Sequence, residues 1–230
     1  RENLEKADRF FAVSNFYRDK LNQLFNSNKI KTIPNNLGKE VEGIGKCIKK
    51  NEVFTFIVVG NLFSIKNQKI AIIAFKEYLK FHPNAILNIV GMGSEYINLK
   101  KLIIDFKIQD YVFFLGKLSR RDTLFQISKS HVLLVTSRIE TFSVVTIEAL
   151  ALKTLVISTR CGGPEMLINN SNGIICDNPS LYYQSMLEIY ENYENYDLIK
   201  IRNECIAKYS GRNISRILVK EYSNLLYNEK

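Results

Sequence analysis

From residue 53 onward the chain alternates two kinds of segment, and this alternation restricts its fold more than any other feature. Short β-rich runs, FTFIVVGN, AILNIVGMG, DYVFFLGK, HVLLVTS, TLVISTR and NGIICD, each end in small or polar residues. Between them stand KNQKIAIIAFKEYLKF, YINLKKLIIDF, RRDTLFQISKS and the opening FSVVTIEALAL, which carry helical patterns. Strands that are apolar almost throughout are buried on both faces, as in a parallel sheet. The alternation therefore predicts an α/β fold, a doubly wound parallel sheet of Rossmann-like type with right-handed crossovers. Such sheets bind ligands outside the carboxyl ends of their strands, where the strand order reverses.

The loops at that edge share a composition. The first strand ends in Gly60-Asn61 and a loop containing Lys66; the second ends in Gly91-Met92-Gly93 and the third in Gly116-Lys117. The fourth ends in Ser137 with Glu140 close behind, and the fifth leads into Gly162-Gly163-Pro164-Glu165. Glycine lets a backbone turn tightly or approach a ligand. One such glycine is ordinary turn chemistry, whereas five loops with glycine or charge at one edge point to a ligand. Pro164 suits the first turn of a helix, and Glu165 suits a first-turn carboxylate favoured by the helix dipole.

At 230 residues the chain can hold one good core, or one domain and part of another. Its opening, RENLEKADR, carries no readable signal peptide, and the missing initiator Met suits a piece of a longer protein. No apolar stretch is long enough to span a bilayer. Cys47, Cys161, Cys176 and Cys205 lie far apart without CxxC spacing, which suits buried reduced thiols in the cytosol rather than a metal or redox motif. His82 and His131 are too few for a histidine-based metal site, and His131, opening a strand, reads as structural. The net charge of +9 favours anionic partners. Its lysines are scattered among acids, with no aromatic–basic motif, so no nucleic-acid partner is expected.

The ends differ from the middle. Residues 1–37 read as helix, strand, helix and short strand, and residues 38–50 as a charged linker. Residues 51–208 hold the α/β pattern, and residues 209–230 a final helix that must pack on something.

One helix carries a fault that needs a reason. In IETFSVVTIEALAL, Glu148 stands between Ile147 and Ala149, and Glu140 stands just before the run. An ionised carboxylate in such surroundings costs several kcal/mol unless something pairs with it. On a helix, positions eight apart differ by about 80° in azimuth and about 12 Å in height, so the two do not form one carboxylate pair. With a helix starting near Phe142, a phosphate-binding N-terminus lies between them. A carboxylate on each side suits hydroxyls at both ends of a nucleotide-sugar.

These residues resemble the C-terminal, donor-binding half of a family 4 glycosyltransferase (glycosyl transferases group 1) of the GT-B fold. The family's E-x7-E motif is matched by Glu140 to Glu148, and its G-R-L-x-x-x-K-N phosphate loop by GNLFSIKN at 60–67. IVGMG at 89–93, VFFLG at 112–116, GGPE at 162–165 and NG at 172–173 follow in family order, over residues 51–180. AVS at 12–14 and IPNN at 33–36 resemble the hand-over from the family's N-terminal domain to its hinge, which makes residues 1–37 a remnant of the acceptor domain.

The resemblance implies a retaining glycosyltransferase acting in glycan or polysaccharide biosynthesis, in the cytoplasm or at the inner face of the membrane with peripheral association. Lys66 and Glu140 would be its catalytic residues, Lys66 against the donor diphosphate and Glu140 facing the sugar. Glu148 would accept from the ribose hydroxyls. Thr141, Phe142, Ser143 and Val144 would lie near sugar and phosphates, Gly116, Lys117 and Leu118 would border the base, and Gly60, Asn61, Gly91 and Gly93 would complete the donor site. No metal or other cofactor is expected. The partners implied are a nucleotide-diphosphate sugar and, through the absent N-terminal domain, a glycan or lipid-linked acceptor. This chain alone is expected to be inactive in transfer.

The chain departs from the pattern in three places. Asn61 replaces the usual arginine, ETFS at 140–143 replaces E-G-F-G, and Lys153-Thr154 stands where a glycine is expected after EALA. Three other classes stay open: a sugar-nucleotide epimerase of the same fold, a nicotinamide-dependent oxidoreductase and a nucleic-acid-binding domain. GMGSEY at 91–96 fails the G-x-G-x-x-G fingerprint of the oxidoreductase.

Overall fold

The computed structural model describes residues 6–26, 28–44 and 49–227. It opens with a small parallel unit: β1 (Phe10–Ala12), α1 (Asn15–Phe25) and β2 (Ile30–Thr32). Ser14 caps α1 by accepting from Tyr17 N at 3.2 Å, and Asn26 closes the helix in the left-handed region.

The charged stretch read as a linker contains a helix, α2 (Lys39–Ile44), so it is a packed element over those residues. Leu37 and Val41 stand one helical turn apart and are buried, which gives the segment an apolar side despite its charge. Leu37 N also donates to Tyr209 O at 2.8 Å. Cys47 and residues 1–5, the first half of the helix expected near the N-terminus, lie outside the described residues.

The α/β pattern then runs as β3 (Phe54–Val59), α3 (Lys69–Leu79), β4 (Ala85–Val90), α4 (Tyr96–Asp105), β5 (Val112–Gly116) and α5 (Arg120–Lys129). It continues with β6 (Val132–Val135), α6 (Val144–Ala151), β7 (Leu155–Thr159), β8 (Gly173–Cys176), α7 (Tyr182–Glu191), α8 (Leu198–Tyr209) and α9 (Gly211–Tyr227). Strands β3 to β8 form one parallel sheet in the order β5-β4-β3-β6-β7-β8. The doubly wound arrangement expected from the apolar strands is therefore present. α3 packs on α4 and α7, and α6 packs on α5 and α8, which gives two helical layers around the sheet.

Every residue of β7 is buried, as are Phe56, Ile57, Leu87, Ile89 and Leu133 on neighbouring strands. Tyr182 is fully buried, and its hydroxyl donates to Ile157 O at 2.6 Å, which satisfies the one polar atom of a core ring. α9 meets the first segment through an edge contact between Phe11 and Tyr222.

At the amino end of the sheet, His131 Nδ1 accepts from Thr55 N at 3.0 Å, and its ring stacks on Phe54. Burial, with Lys50 nearby, pushes the imidazole down to about 4. His131 is structural.

Candidate functional site

The strand order reverses between β3 and β6, which lie side by side in the sheet. Their carboxyl-end loops, residues 60–68 and 136–143, are sewn together: Arg138 N donates to Ile65 O at 2.8 Å and Thr136 Oγ1 to Lys66 O at 3.0 Å. This brings two predicted residues into contact. Lys66 Nζ lies 2.5 Å from Glu140 Oε1, and Ser137 Oγ donates to the same oxygen at 2.8 Å. The Lys66 side chain keeps 33% of its exposure and that of Glu140 keeps 13%. The pair is open to solvent on its Lys66 side, so its cation is exchangeable toward a polyanion. Lys66, Ser137, Glu140 and Val145 line one small cleft.

The glycines divide by role. A Cβ on Gly91 would sit 1.9 Å from Gly60 O, and one on Gly93 would sit 2.4 Å from Leu62 O. Their first task is to let the loops after β3 and β4 touch, through Leu62 N to Met92 O at 2.9 Å and Gly60 N to Val90 O at 3.0 Å. Gly116 is held by its backbone, at φ +69 with open space beside it. Gly91, Gly93 and Gly116 line an apolar cavity of about 550 Å³ with Met92, Tyr96, Ile97 and Phe114. Lys117 is exposed and Leu118 half-buried just beyond it. Asn61 contributes its carbonyl, which accepts from Gln68 Nε2 at 2.9 Å.

α6 begins at Val144, two residues later than the expected start near Phe142. Ser143 delays it by adopting φ +73, and its hydroxyl lies 2.9 Å from Thr146 Oγ1. This is one of the positions where the sequence departs from E-G-F-G, and its backbone stays in the region that favours glycine. Lys153, beside the other missing glycine, is likewise left-handed at φ +63. Phe142 is buried against Tyr209, so only its backbone can serve a ligand, whereas Thr141 and Val144 are exposed. The Gly162-Gly163 turn braces this entry: Glu140 N donates to Cys161 O at 2.8 Å and Gly163 N to Glu140 O at 2.9 Å. Glu165 caps the turn by accepting from Gly162 N at 2.7 Å.

Glu148 is 5% exposed on α6 and does not meet Glu140 in one carboxylate pair. Its partner is a residue that sequence reasoning missed. Arg120 Nη2 lies 2.8 Å from Glu148 Oε1 without an aligned N–H, while Arg120 Nε bonds Glu40 on α2. Burial pushes the Glu148 carboxyl up, and Arg120 pulls it partly back. No sequence signal marked Arg120, because both partners are remote in the chain. Among the described residues, no group of three or more His, Cys, Asp or Glu is placed to hold a metal ion. No described helix is long and apolar enough to cross a membrane.

A parallel α/β domain with glycine- and charge-bearing loops at its switch point defines a class, and comparison with known proteins places it. The pneumococcal O-GlcNAc transferase GtfA, solved with UDP and GlcNAc, superposes with a TM-score of 0.78 at 20% identity, over 98% of this chain and 46% of its own. The fold is thus that of the GT-B glycosyltransferase structures. The family model "Glycosyl transferases group 1" matches residues 42–204, and the chain belongs to that family. Among curated relatives, N-acetyl-alpha-D-glucosaminyl L-malate synthase of Bacillus anthracis is 28% identical over 76% of this chain and 47% of its own length. A probable sucrose-phosphate synthase of Thermosipho melanesiensis is 30% identical over 75% of this chain and 41% of its own length. The chain therefore spans about half the length of the curated relatives it matches.

Proposed function

We propose that this chain is the donor-binding part of a retaining glycosyltransferase, one that grips a nucleotide-diphosphate sugar and passes the sugar to an acceptor held elsewhere. The observation that carries this reading is the meeting at the β3/β6 switch point of a cation, Lys66, with a carboxylate, Glu140, while a second carboxylate, Glu148, lies buried on the helix that follows the same loop.

The chemistry suits each group. Breaking a bond between a sugar and a diphosphate leaves negative charge on the diphosphate, and Lys66 is the cation placed to neutralise it. To do so Lys66 exchanges Glu140 for phosphate oxygens, and the released carboxylate is free to accept from sugar hydroxyls. Ser137 stays bonded to Glu140 and keeps it aimed. The backbone N–H groups opening α6 add partial positive charge for the phosphates. Glu148 accepts from the ribose, and the cavity bounded by Gly91, Gly93 and Gly116 lies on the side assigned to the base. No metal and no other cofactor enters this scheme.

The acceptors in the relatives' names differ, L-malate in one and poly(glycerol-phosphate) in another, which fits a shared donor half joined to varied acceptor halves. For this chain a glycan or lipid-linked acceptor, with peripheral membrane association in the latter case, falls to a domain outside these residues.

The test is a thermal-shift panel of UDP, GDP, ADP, their sugar conjugates and NAD. A ligand at 100 times its dissociation constant adds about 2.7 kcal/mol, or roughly 5–10 °C for a domain of this size. Stabilisation by one nucleoside diphosphate and none by NAD is the expected result. Stabilisation by NAD alone would replace the reading with an oxidoreductase.

A further inference from the structure

The Arg120 guanidinium occupies a position that a surface arginine has no reason to take. Its side chain is half exposed, yet it lies between two carboxylates of different elements: Glu40 on α2 and Glu148 on α6. A Cβ on Gly38 would fall 2.8 Å from Arg120 Nη2, so the glycine before α2 leaves room for it. Ser119 caps α5 by accepting from Asp122 N at 3.1 Å, and this fixes Arg120 as the first residue of the helix. Arg120 also follows the loop at Gly116, Lys117 and Leu118.

Glu148 needs such a partner. Arg120 approaches Oε1, and that buried oxygen accepts no aligned hydrogen bond. From α8, Arg202 Nη1 donates to Ala151 O, and Cys205 Sγ to Ile147 O at 3.3 Å. Glu40 adds a second negative charge that disfavours ionisation of Glu148, although Arg120 lies between them. Arg120 is thus the cation that counters both burial and Glu40.

We infer that Arg120 is a positioning residue for nucleotide binding: held by Glu40 on α2, it keeps Glu148 ionised and aimed at the ribose. The inference rests on the donor-site reading above. A protonated Glu148 is a poorer acceptor and presents a proton where the ribose offers its own. The arrangement also ties the segment entering the domain to the donor site, because Glu40 shares the guanidinium with Glu148.

The experiment has two arms. In the first, the side-chain carboxyl carbon of Glu148 is followed by ¹³C NMR against pH in wild type, Arg120→Met and Arg120→Lys, with Glu148→Gln to assign the resonance. The second measures UDP binding by calorimetry at pH 6, 7 and 8.5 in the same proteins. Arg120→Met is expected to raise the titration midpoint of Glu148, and Arg120→Lys to restore most of it. The ratio of the Arg120→Met to the wild-type dissociation constant should widen as pH falls, by up to about tenfold per unit. An unmoved midpoint, or tighter UDP binding in Arg120→Met, would overturn the inference, the second by marking Arg120 as a plug. If Glu148→Gln binds UDP as wild type does, the donor-site reading falls and takes the inference with it. If Glu148→Gln weakens binding while Arg120→Met follows wild type at every pH, only the role of Arg120 falls.

Discussion

The two ends of the central sheet both hold titratable side chains and use them in opposite ways. At the amino end, Lys50 donates to Ser130 O at 2.5 Å and to Thr154 Oγ1 at 2.8 Å, and His131 accepts from a backbone N–H. Each group there is spent on a fixed internal partner. At the carboxyl end, Lys66 and Glu140 bond to each other across two loops, and Arg120 is shared between Glu40 and Glu148. Those partners are side chains that can be exchanged. A polar group tied to backbone holds the fold, whereas Lys66 and Arg120, partly exposed and paired with other side chains, are available to a ligand.

Removing one group from each end should therefore damage different properties. Lys66→Ala is expected to weaken UDP binding by roughly tenfold to a hundredfold, the range for a charged hydrogen bond, while the melting temperature stays close to wild type. Calorimetry and a thermal scan on the same sample check both halves. His131→Leu should do the reverse. It leaves the buried Thr55 N–H unpaired, costing about 1–3 kcal/mol and lowering Tm by roughly 2–4 °C per kcal/mol, with UDP affinity retained. If His131→Leu weakened UDP binding as much as Lys66→Ala, the division between the ends would not hold.

Lys50 sharpens the comparison through pH. Burial lowers its ammonium to about 7, against 10.5 for the ordinary group. Between those values the unfolded chain holds a proton that the folded chain gives up, so stability rises with pH through this window. Urea unfolding of wild type at pH 7 and 8.5 should show that rise, and Lys50→Met should flatten it. The smallest expected effect is at Lys153, left-handed at φ +63. Lys153→Gly should relieve strain of about 1 kcal/mol, read as a slightly higher urea midpoint with unchanged UDP affinity.

The sheet was legible in the sequence because strands buried on both faces leave long apolar runs, and β7 is buried at every position. α2 was hidden because Leu37 and Val41 are diluted by charged neighbours, and residues 38–50 read as a linker. Glu148 stood out through the cost of its burial, but its partner did not, since nothing local in RRDTLFQISKS separates Arg120 from Arg121. The start of α6 was misplaced by two residues because Ser143 adopts a backbone conformation that serine seldom takes. The glycines at 91 and 93 were read for a ligand, and the geometry adds a structural demand, since both sit where two loops touch.

The most direct test of a donor site at the carboxyl end is a titration of UDP into ¹⁵N-labelled chain, followed amide by amide. The account predicts shifts at Gly60 to Lys66, Gly91, Gly116 and Phe142 to Val145, with Thr55, His131 and Tyr193 unmoved. Shifts gathered instead around Thr55, His131 and Tyr193, at the amino end, would contradict it.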